Sequence, residues 1–189
     1  MGYTHYFDRF ELVHEINTFD AFAEAVKVAF KLLPSFSVSS GGFFSEHPLQ
    51  IAGGDGFGEP QIVPEWICFN GSADGESGLA HEPLMIFQDY LFDEGESERE
   101  ILREMFKEAK CFCSRCVTDR KPYDFAVQIT LLLYKHYFGD KVGISSDGDL
   151  SDWREAIDFV RVVFGFDAGF DANGRLEIIA LEAETDVVI

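Results

Sequence analysis

Pro122-Tyr123-Asp124-Phe125-Ala126-Val127-Gln128-Ile129-Thr130-Leu131-Leu132-Leu133-Tyr134-Lys135-His136-Tyr137-Phe138-Gly139 is the stretch from which the fold is read. Proline fits the first turn of a helix, where its missing N–H costs nothing, and glycine just past the end supplies a cap. Between them only a thin polar stripe remains, Asp124, Gln128 and Lys135. A surface helix shows a wide polar face. This one is therefore expected to run through the middle of the molecule, from Tyr123 to about Phe138.

The other elements are read outward from it. Upstream, Ser97 and Glu100 have the spacing of a capping box, and a helix is expected to about Lys110. Its apolar residues Ile101, Leu102, Met105, Phe106 and Ala109 are expected to face the core. Downstream, Lys141 to Ser145 reads as a short strand. Asp149 or Ser151 then caps a helix to about 164, with Leu150, Trp153, Ile157, Val160 and Phe164 at spacings of three and four. Residues 3 to 8 read as a strand rich in Tyr and Phe. Asn17 or Thr18 caps a helix from about 19 to 33, stopped by Pro34, and a loop-rich segment follows to Pro60. Residues 61 to 69 and Leu84 to Phe87 read as hairpin arms, with Asn70-Gly71 as a turn and a long loop carrying His81 and Glu82. Phe166 to Asp171 and Arg175 to Leu181 form a second hairpin around Ala172-Asn173-Gly174. Strands in hairpins with helices between them predict an α+β fold: an antiparallel or mixed sheet with about four helices packed on it, in a single domain across 1–189.

At 189 residues the chain is long enough for a real core, and 47% hydrophobic content with 20 Phe suits one. No apolar run approaches the ~20 residues needed to cross a bilayer, and the start has no secretory pattern, so a cytoplasmic protein is expected. The formal charge of −19, from 34 acids against 15 Lys and Arg, disfavours nucleic acid and anionic membrane as partners. It is compatible with plain solubility or with an acidic face, notably 93 to 100, that meets a basic protein. Cys68, Cys111, Cys113 and Cys116 lack the paired spacing of a strong zinc site, so free thiols are expected, with neither metal nor cofactor.

The sharpest chemistry flanks the central helix. Arg115, Arg120 and Lys121 precede its start, where cations oppose the helix dipole. A bound anion held by Arg forks and helix N–H groups gives that placement a reason, and salt bridging to the many acids gives it another. Cys116 beside these cations is a candidate for a lowered pKa. The turn Ser145-Ser146-Asp147-Gly148-Asp149 precedes the next helix start, and with Asp152 it reads as a turn and cap or as a Mg²⁺ site bridged by phosphates. His5 is the best candidate for a site histidine. The run Gly53 to Pro60 lacks the Lys-Ser/Thr of a P-loop, and neither G-x-S-x-G nor a dinucleotide fingerprint is present.

Several segments occur together in order: Met1-Gly2-Tyr3-Thr4-His5-Tyr6, Gly54-Asp55-Gly56-x-Gly58-Glu59-Pro60, Phe69-Asn70-Gly71, Cys116-x-Thr118-x-Arg120-Lys121-Pro122-Tyr123-Asp124, and Ser145-Ser146-Asp147-Gly148-Asp149 followed by Trp153. As a set spanning about residues 1 to 165 they resemble a family of small bacteriophage and bacterial proteins for which no activity is established. Its members often begin M-G-Y-T-H-Y-W, and Phe7 stands here at the Trp position. The resemblance implies context alone: small phage-encoded domains with a polar pocket often bind nucleotide-like molecules, including host immune signals. The expected function is binding of a small anionic, nucleotide-like ligand, as a phage-type sponge for a host signalling nucleotide. Arg115, Arg120 and Lys121 would hold the anion. Thr4, His5, Asp55, Asn70, Tyr123, Ser146, Asp147 and Asp149 would supply polar contacts. Two alternatives stand beside it: a metal-assisted hydrolase of such a ligand, using His5, Asp147 and Asp149, and an acidic protein-binding inhibitor. Phe43, Phe44 and Phe57 in loops suggest a homo-oligomer interface or a pocket lid.

Overall fold

The computed structural model describes residues 2–33, 35–40, 43–73, 79–92 and 94–179, with backbone alone for 35–40 and 43–48. The chain runs β1 (Thr4–Arg9), α1 (Ile16–Lys31), β2 (Ser35–Ser40), β3 (Phe43–Pro48), β4 (Ile51–Ala52), β5 (Gln61–Ile62), β6 (Trp66–Gly71) and β7 (Leu84–Phe87). It continues α2 (Glu96–Ala109), β8 (Phe112–Val117), α3 (Asp124–Phe138), β9 (Val142–Ser146), α4 (Leu150–Phe164), β10 (Asp167–Phe170) and β11 (Leu176–Ile179). This is an α+β fold, and every strand pairing among the described residues is antiparallel. No helix among them is long and apolar enough to cross a membrane.

The expectation for α3 holds. Ala126, Val127, Ile129, Leu131, Leu132 and Leu133 are fully buried, and α3 packs between α1 and α4. Even its polar stripe is inside. Gln128 donates to the Asp124 carboxylate (3.0 Å) and to the Asp152 carbonyl (3.3 Å), while Lys135 Nζ reaches the Val142 carbonyl at 3.3 Å. Both of these buried side chains have found partners, as burial requires.

A three-stranded sheet, β8-β1-β9, lies against α3 with β1 in the middle. Its register sets the faces. His5 lies opposite Cys116 and Ser146, Phe7 opposite Ser114 and Ile144, and Tyr6 opposite Arg115 and Ser145. Side chains alternate along a strand, so His5, Phe7 and Arg9 share the α3 face and Tyr6 and Arg115 the other. A second sheet gathers β4, β5 and β7 on β6, which makes 66 to 87 the expected hairpin.

Several boundaries differ from expectation for identifiable reasons. The Glu15 carboxylate, rather than Asn17 or Thr18, caps α1, accepting from both of their backbone N–H groups. The segment 34–60 carries three strands instead of loops alone. The expected strand 61–69 is split at Val63-Pro64-Glu65, because proline has no N–H for a ladder. Asn70-Gly71 ends β6 and is not a hairpin turn. Gly95, with no side-chain bond, occupies the cap position of α2, so Ser97 and Glu100 form no capping box. No residue of α2 is buried, and Ile101 and Met105 are 60% and 52% exposed, so its apolar stripe does not enter the core. α3 begins at Asp124, after Pro122 and Tyr123 have turned the chain. The readings at Pro34, Gly41-Gly42, 74–78, Asp93 and 180–189 lie outside the described residues, as do the side chains of Phe43 and Phe44. Phe57 is exposed.

The far end of β1 is held by a buried polar cluster. His14 faces the Glu11 carboxylate with Nδ1 and the Tyr134 hydroxyl with Nε2, both at 2.6 Å. Burial, with Arg9 nearby, lowers the His14 pKa to about 4. Unfolded His14 takes up its proton near pH 6.5. Between those values the unfolded chain binds more protons, so stability is full above pH 6.5 and falls by about 3 kcal/mol as pH drops to 4. Burial would raise the Glu11 pKa, but its bonds to His14 and Lys141 outweigh that and hold it below the usual carboxylate value. Its contribution is lost in the same direction. Urea unfolding at pH 7, 5.5 and 4.5 checks this, and His14→Gln is expected to flatten the dependence between pH 6.5 and 4.

Candidate functional site

The start of β1, the ends of β8 and β9, and the N-termini of α3 and α4 meet at one end of the molecule. Antiparallel pairing brings Ser146 and Cys116 opposite His5. The loops that follow β8 and β9 lead directly into α3 and α4, so both helix starts arrive at the same place.

His5 is fully buried there, with both ring nitrogens engaged. Nε2 donates to Asp124 Oδ1 at 2.7 Å, and Nδ1 faces the Ser146 hydroxyl at 3.0 Å. A carboxylate only accepts, which places a proton on Nε2 and leaves Nδ1 to accept from Ser146. The Asp124 carboxylate also accepts from Thr118 Oγ1 at 2.5 Å and Gln128 Nε2 at 3.0 Å. It lies in the first turn of α3, where the helix dipole favours negative charge. Tyr3 and Trp153 pack edge-on against His5, with ring centroids at 5.0 and 5.1 Å. The result is a hydrogen-bonded series, Ser146–His5–Asp124, clamped between two aromatic rings.

The rim is formed by two turns. In the first, the Lys121 N–H closes onto the Thr118 carbonyl at 3.0 Å, and Asp119 and Arg120 both adopt left-handed φ, 51° and 55°. Such conformations are strained for residues with side chains and gather at functional sites. This turn lays the Arg120 guanidinium over the Tyr3 ring, 4.0 Å from its centroid, and against Asp152 Oδ1 at 2.5 Å. The Arg120 bond holds the Asp152 pKa below its usual value. In the second turn, Thr4 and Asp147 exchange bonds: the Thr4 N–H goes to Asp147 Oδ2 (3.1 Å) and the Asp147 N–H to the Thr4 carbonyl (3.0 Å). Asp149 and Asp152 form a capping box on α4. The Gly148 N–H donates to Ser146 Oγ at 3.1 Å. A Cβ at Gly148 would stand 2.1 Å from the Tyr3 hydroxyl, so only glycine lets the turn close over Tyr3.

Two buried polar atoms have no hydrogen bond here, Tyr3 Oη and Trp153 Nε1. Ser146 stands near enough to Tyr3 to lower its pKa, against a larger upward push from burial, but no bond of sound geometry forms. The structure therefore keeps two unpartnered donors beside one histidine.

Of the residues expected to form a site, Thr4, His5, Arg120, Ser146, Asp147 and Asp149 come together. Lys121 follows Arg120 in the same turn. Arg115 does not join them. It lies in β8 opposite Tyr6, on the sheet face away from His5, so the three cations are not one anion clamp. Tyr123, Asn70 and Asp55 serve the neighbouring chain. Tyr123 donates to the Glu82 carbonyl (2.8 Å), and Asn70 bonds with Gly54, Gly71 and His81. Asp55 accepts from the Phe57 N–H within its own turn. Cys116 is no activated thiol, since burial pushes its pKa up to about 12. Hydrogen bonding to Asp8 does the same to Cys113. All four cysteines are free thiols, and no three potential ligand side chains gather around a metal position among the described residues.

Sequence reasoning missed Tyr3, Thr118, Asp124, Gln128 and Trp153 as members of this site, and read Asp152 as part of the turn or a Mg²⁺ site, not as the partner of Arg120. One signal was present: Asp124 and Gln128 stand four apart on a helix whose other faces are apolar, so two adjacent polar side chains had to meet a buried polar partner.

No protein-family model, no curated protein and no solved structure matches the chain.

Proposed function

We propose that this end of the molecule binds a small anionic, nucleotide-like ligand, with Arg120 meeting the anion and the base or sugar lying over the turn at Ser146–Asp149. The observation that carries this reading is the kind of group left unsatisfied. Tyr3 Oη and Trp153 Nε1 lack partners, and Arg120 pairs with Asp152 through Nη1 alone. Arg120 is exposed and has N–H groups to spare, so the complementary ligand brings acceptors, as phosphate and carboxylate do; Tyr3 Oη and Trp153 Nε1 lie buried behind it. The nearby carboxylates Asp124, Asp147, Asp149 and Asp152 are all engaged by donors of the protein. In its most specific form, the chain is a phage-type sponge that withdraws a signalling nucleotide in a host cytoplasm, the version suggested by the family resemblance. Thermal unfolding against a panel of mononucleotides and cyclic dinucleotides tests it, because a native-state ligand raises the midpoint by mass action.

The order Ser146–His5–Asp124 favours a second reading, hydrolysis of the bound ligand without a metal. As Ser146 Oγ attacks phosphorus or a carbonyl carbon, its proton passes to His5 Nδ1, which returns it to the leaving oxygen as that bond breaks; water then hydrolyses the Ser146 ester with the same nitrogen as base, while Asp124 holds the ring. The N–H groups of Asp147 and Gly148 are already engaged, which leaves Arg120 to meet the developing charge. Mass spectrometry of the incubated nucleotide separates the readings: intact ligand means retention, and a product that disappears in Ser146→Ala means turnover.

A further inference from the structure

We propose that the protein has a second, separate ligand site, a cleft that takes an apolar molecule ending in a single carboxylate. The cleft has a volume of about 460 Å³, within the range of small-molecule sites. It lies beside the edge strand β8, bounded by β1, β7, the segment after β7, and α2. Phe7, Met85, Phe87, Phe92 and Leu102 make its walls apolar.

Its charges are unusual for so acidic a chain. Arg9 lines the cleft, and its donors go to four backbone carbonyls, those of Glu11, Leu12, Phe87 and Gln88. Among the described residues it has no ion pair with a carboxylate, and its positive charge is solvated mainly by these dipoles. Arg115 borders the same cleft from the outer face of edge strand β8, where it is exposed, and its side chain makes no ion pair or hydrogen bond among the described residues. Among the described residues Glu94 is the one acid on the wall, against these two cations. An apolar cavity with surplus positive charge at its edge fits an amphipathic anion, whose chain fills the cavity while its head meets the Arg115 fork.

The placement of α2 is consistent with that use. It forms one wall through Leu102, yet none of its residues is buried. Its ends are a glycine cap without a side-chain bond and Lys110 in the left-handed conformation, φ 64°. A chain lying in the cleft adds apolar contact to Leu102, which is only half-buried.

Sodium decanoate and the neutral analogue 1-decanol are the probes, titrated calorimetrically into the full chain. Decanoate is expected to bind one to one, at least about tenfold more tightly than decanol, the margin of a charged hydrogen bond. Arg115→Glu, a change at an exposed position, is expected to weaken decanoate at least about tenfold and leave decanol unchanged. Leu102→Trp, which fills the cavity, is expected to remove both. No heat with decanoate, or equal affinity for decanoate in wild type, Arg115→Glu and Leu102→Trp, overturns the site. Neither variant touches the Arg120 rim, so this result stands apart from the nucleotide reading.

Discussion

Replacing Arg9 by methionine is expected to cost about 4 kcal/mol and to leave much of the chain unfolded at 37 °C. The Arg9 guanidinium is buried and donates to the carbonyls of Glu11 at 2.6 Å, Phe87 at 2.5 Å, and Leu12 and Gln88 at 2.7 Å. It ties β1, the segment before α1 and the end of β7 together. Those pieces meet through short contacts such as the bridge from Val13 to Asp89 and the bonds His14 N–H to Gln88 and Tyr90 N–H to Leu12. Methionine preserves most of the apolar stem but leaves four carbonyls short of a donor inside the protein. Each unsatisfied acceptor costs about 1–3 kcal/mol, and partial relaxation keeps the sum below that of four independent losses. Urea unfolding followed by tryptophan fluorescence gives the difference. Arg9→Lys is expected to recover little, since a lysine head cannot reach four carbonyls spread around a planar fork.

Asp124→Ala is the second large effect, about 3 kcal/mol together with loss of ligand binding. The substitution removes one acceptor and strands three donors, His5 Nε2, Thr118 Oγ1 and one N–H of Gln128. It also takes a favourable carboxylate from the first turn of α3. With nothing to hold its far nitrogen, the His5 ring loses its orientation toward Ser146, and the packing of Tyr3 and Trp153 against it loosens. Asp124→Asn separates shape from charge. It keeps an acceptor for Thr118 but adds an N–H that opposes His5 or Gln128, so it is expected to recover about half the stability. A double-mutant cycle of Asp124→Ala with His5→Ala measures the coupling, which is expected to exceed 1 kcal/mol because the two side chains share one bond and one network.

How much of this was legible in the sequence follows from the range of each interaction. α3 was readable because its burial is encoded locally, by eighteen residues with almost no polar face. Asp149 as the cap of α4 and Gly139 past the end of α3 were readable for the same reason. Element β8 was not, because Phe112–Val117 mixes thiols, Ser and Arg at positions whose burial depends on lying beside β1. The amphipathic pattern of α2 was read correctly as a helix but placed wrongly in the core. Periodicity shows that a helix has an apolar side and does not show what that side meets.

The site divides in the same way. His5, Ser146, Asp147, Asp149 and Arg120 carried signals of their own, a histidine in a strand and charged residues at turns. Asp124 sat inside the central helix pattern and looked like one member of a polar stripe. Its partner His5 is 119 residues away, and nothing local reports such a pairing. Arg115 was grouped with Arg120 because they are five apart in sequence. Arg115 lies on the face of β8 away from His5, while the turn after that strand carries Arg120 over Tyr3, which sends the two arginines to different places.

The most direct test of the central claim is calorimetric titration of mononucleotides and cyclic dinucleotides into wild type, Arg120→Glu and Asp152→Asn. The account predicts a ligand that binds wild type and fails to bind Arg120→Glu. It also predicts about fivefold tighter binding to Asp152→Asn, which releases Arg120 and removes one negative charge beside the anion. A ligand that binds Arg120→Glu as well as wild type, or a panel with no binding in any of the three proteins, would contradict it.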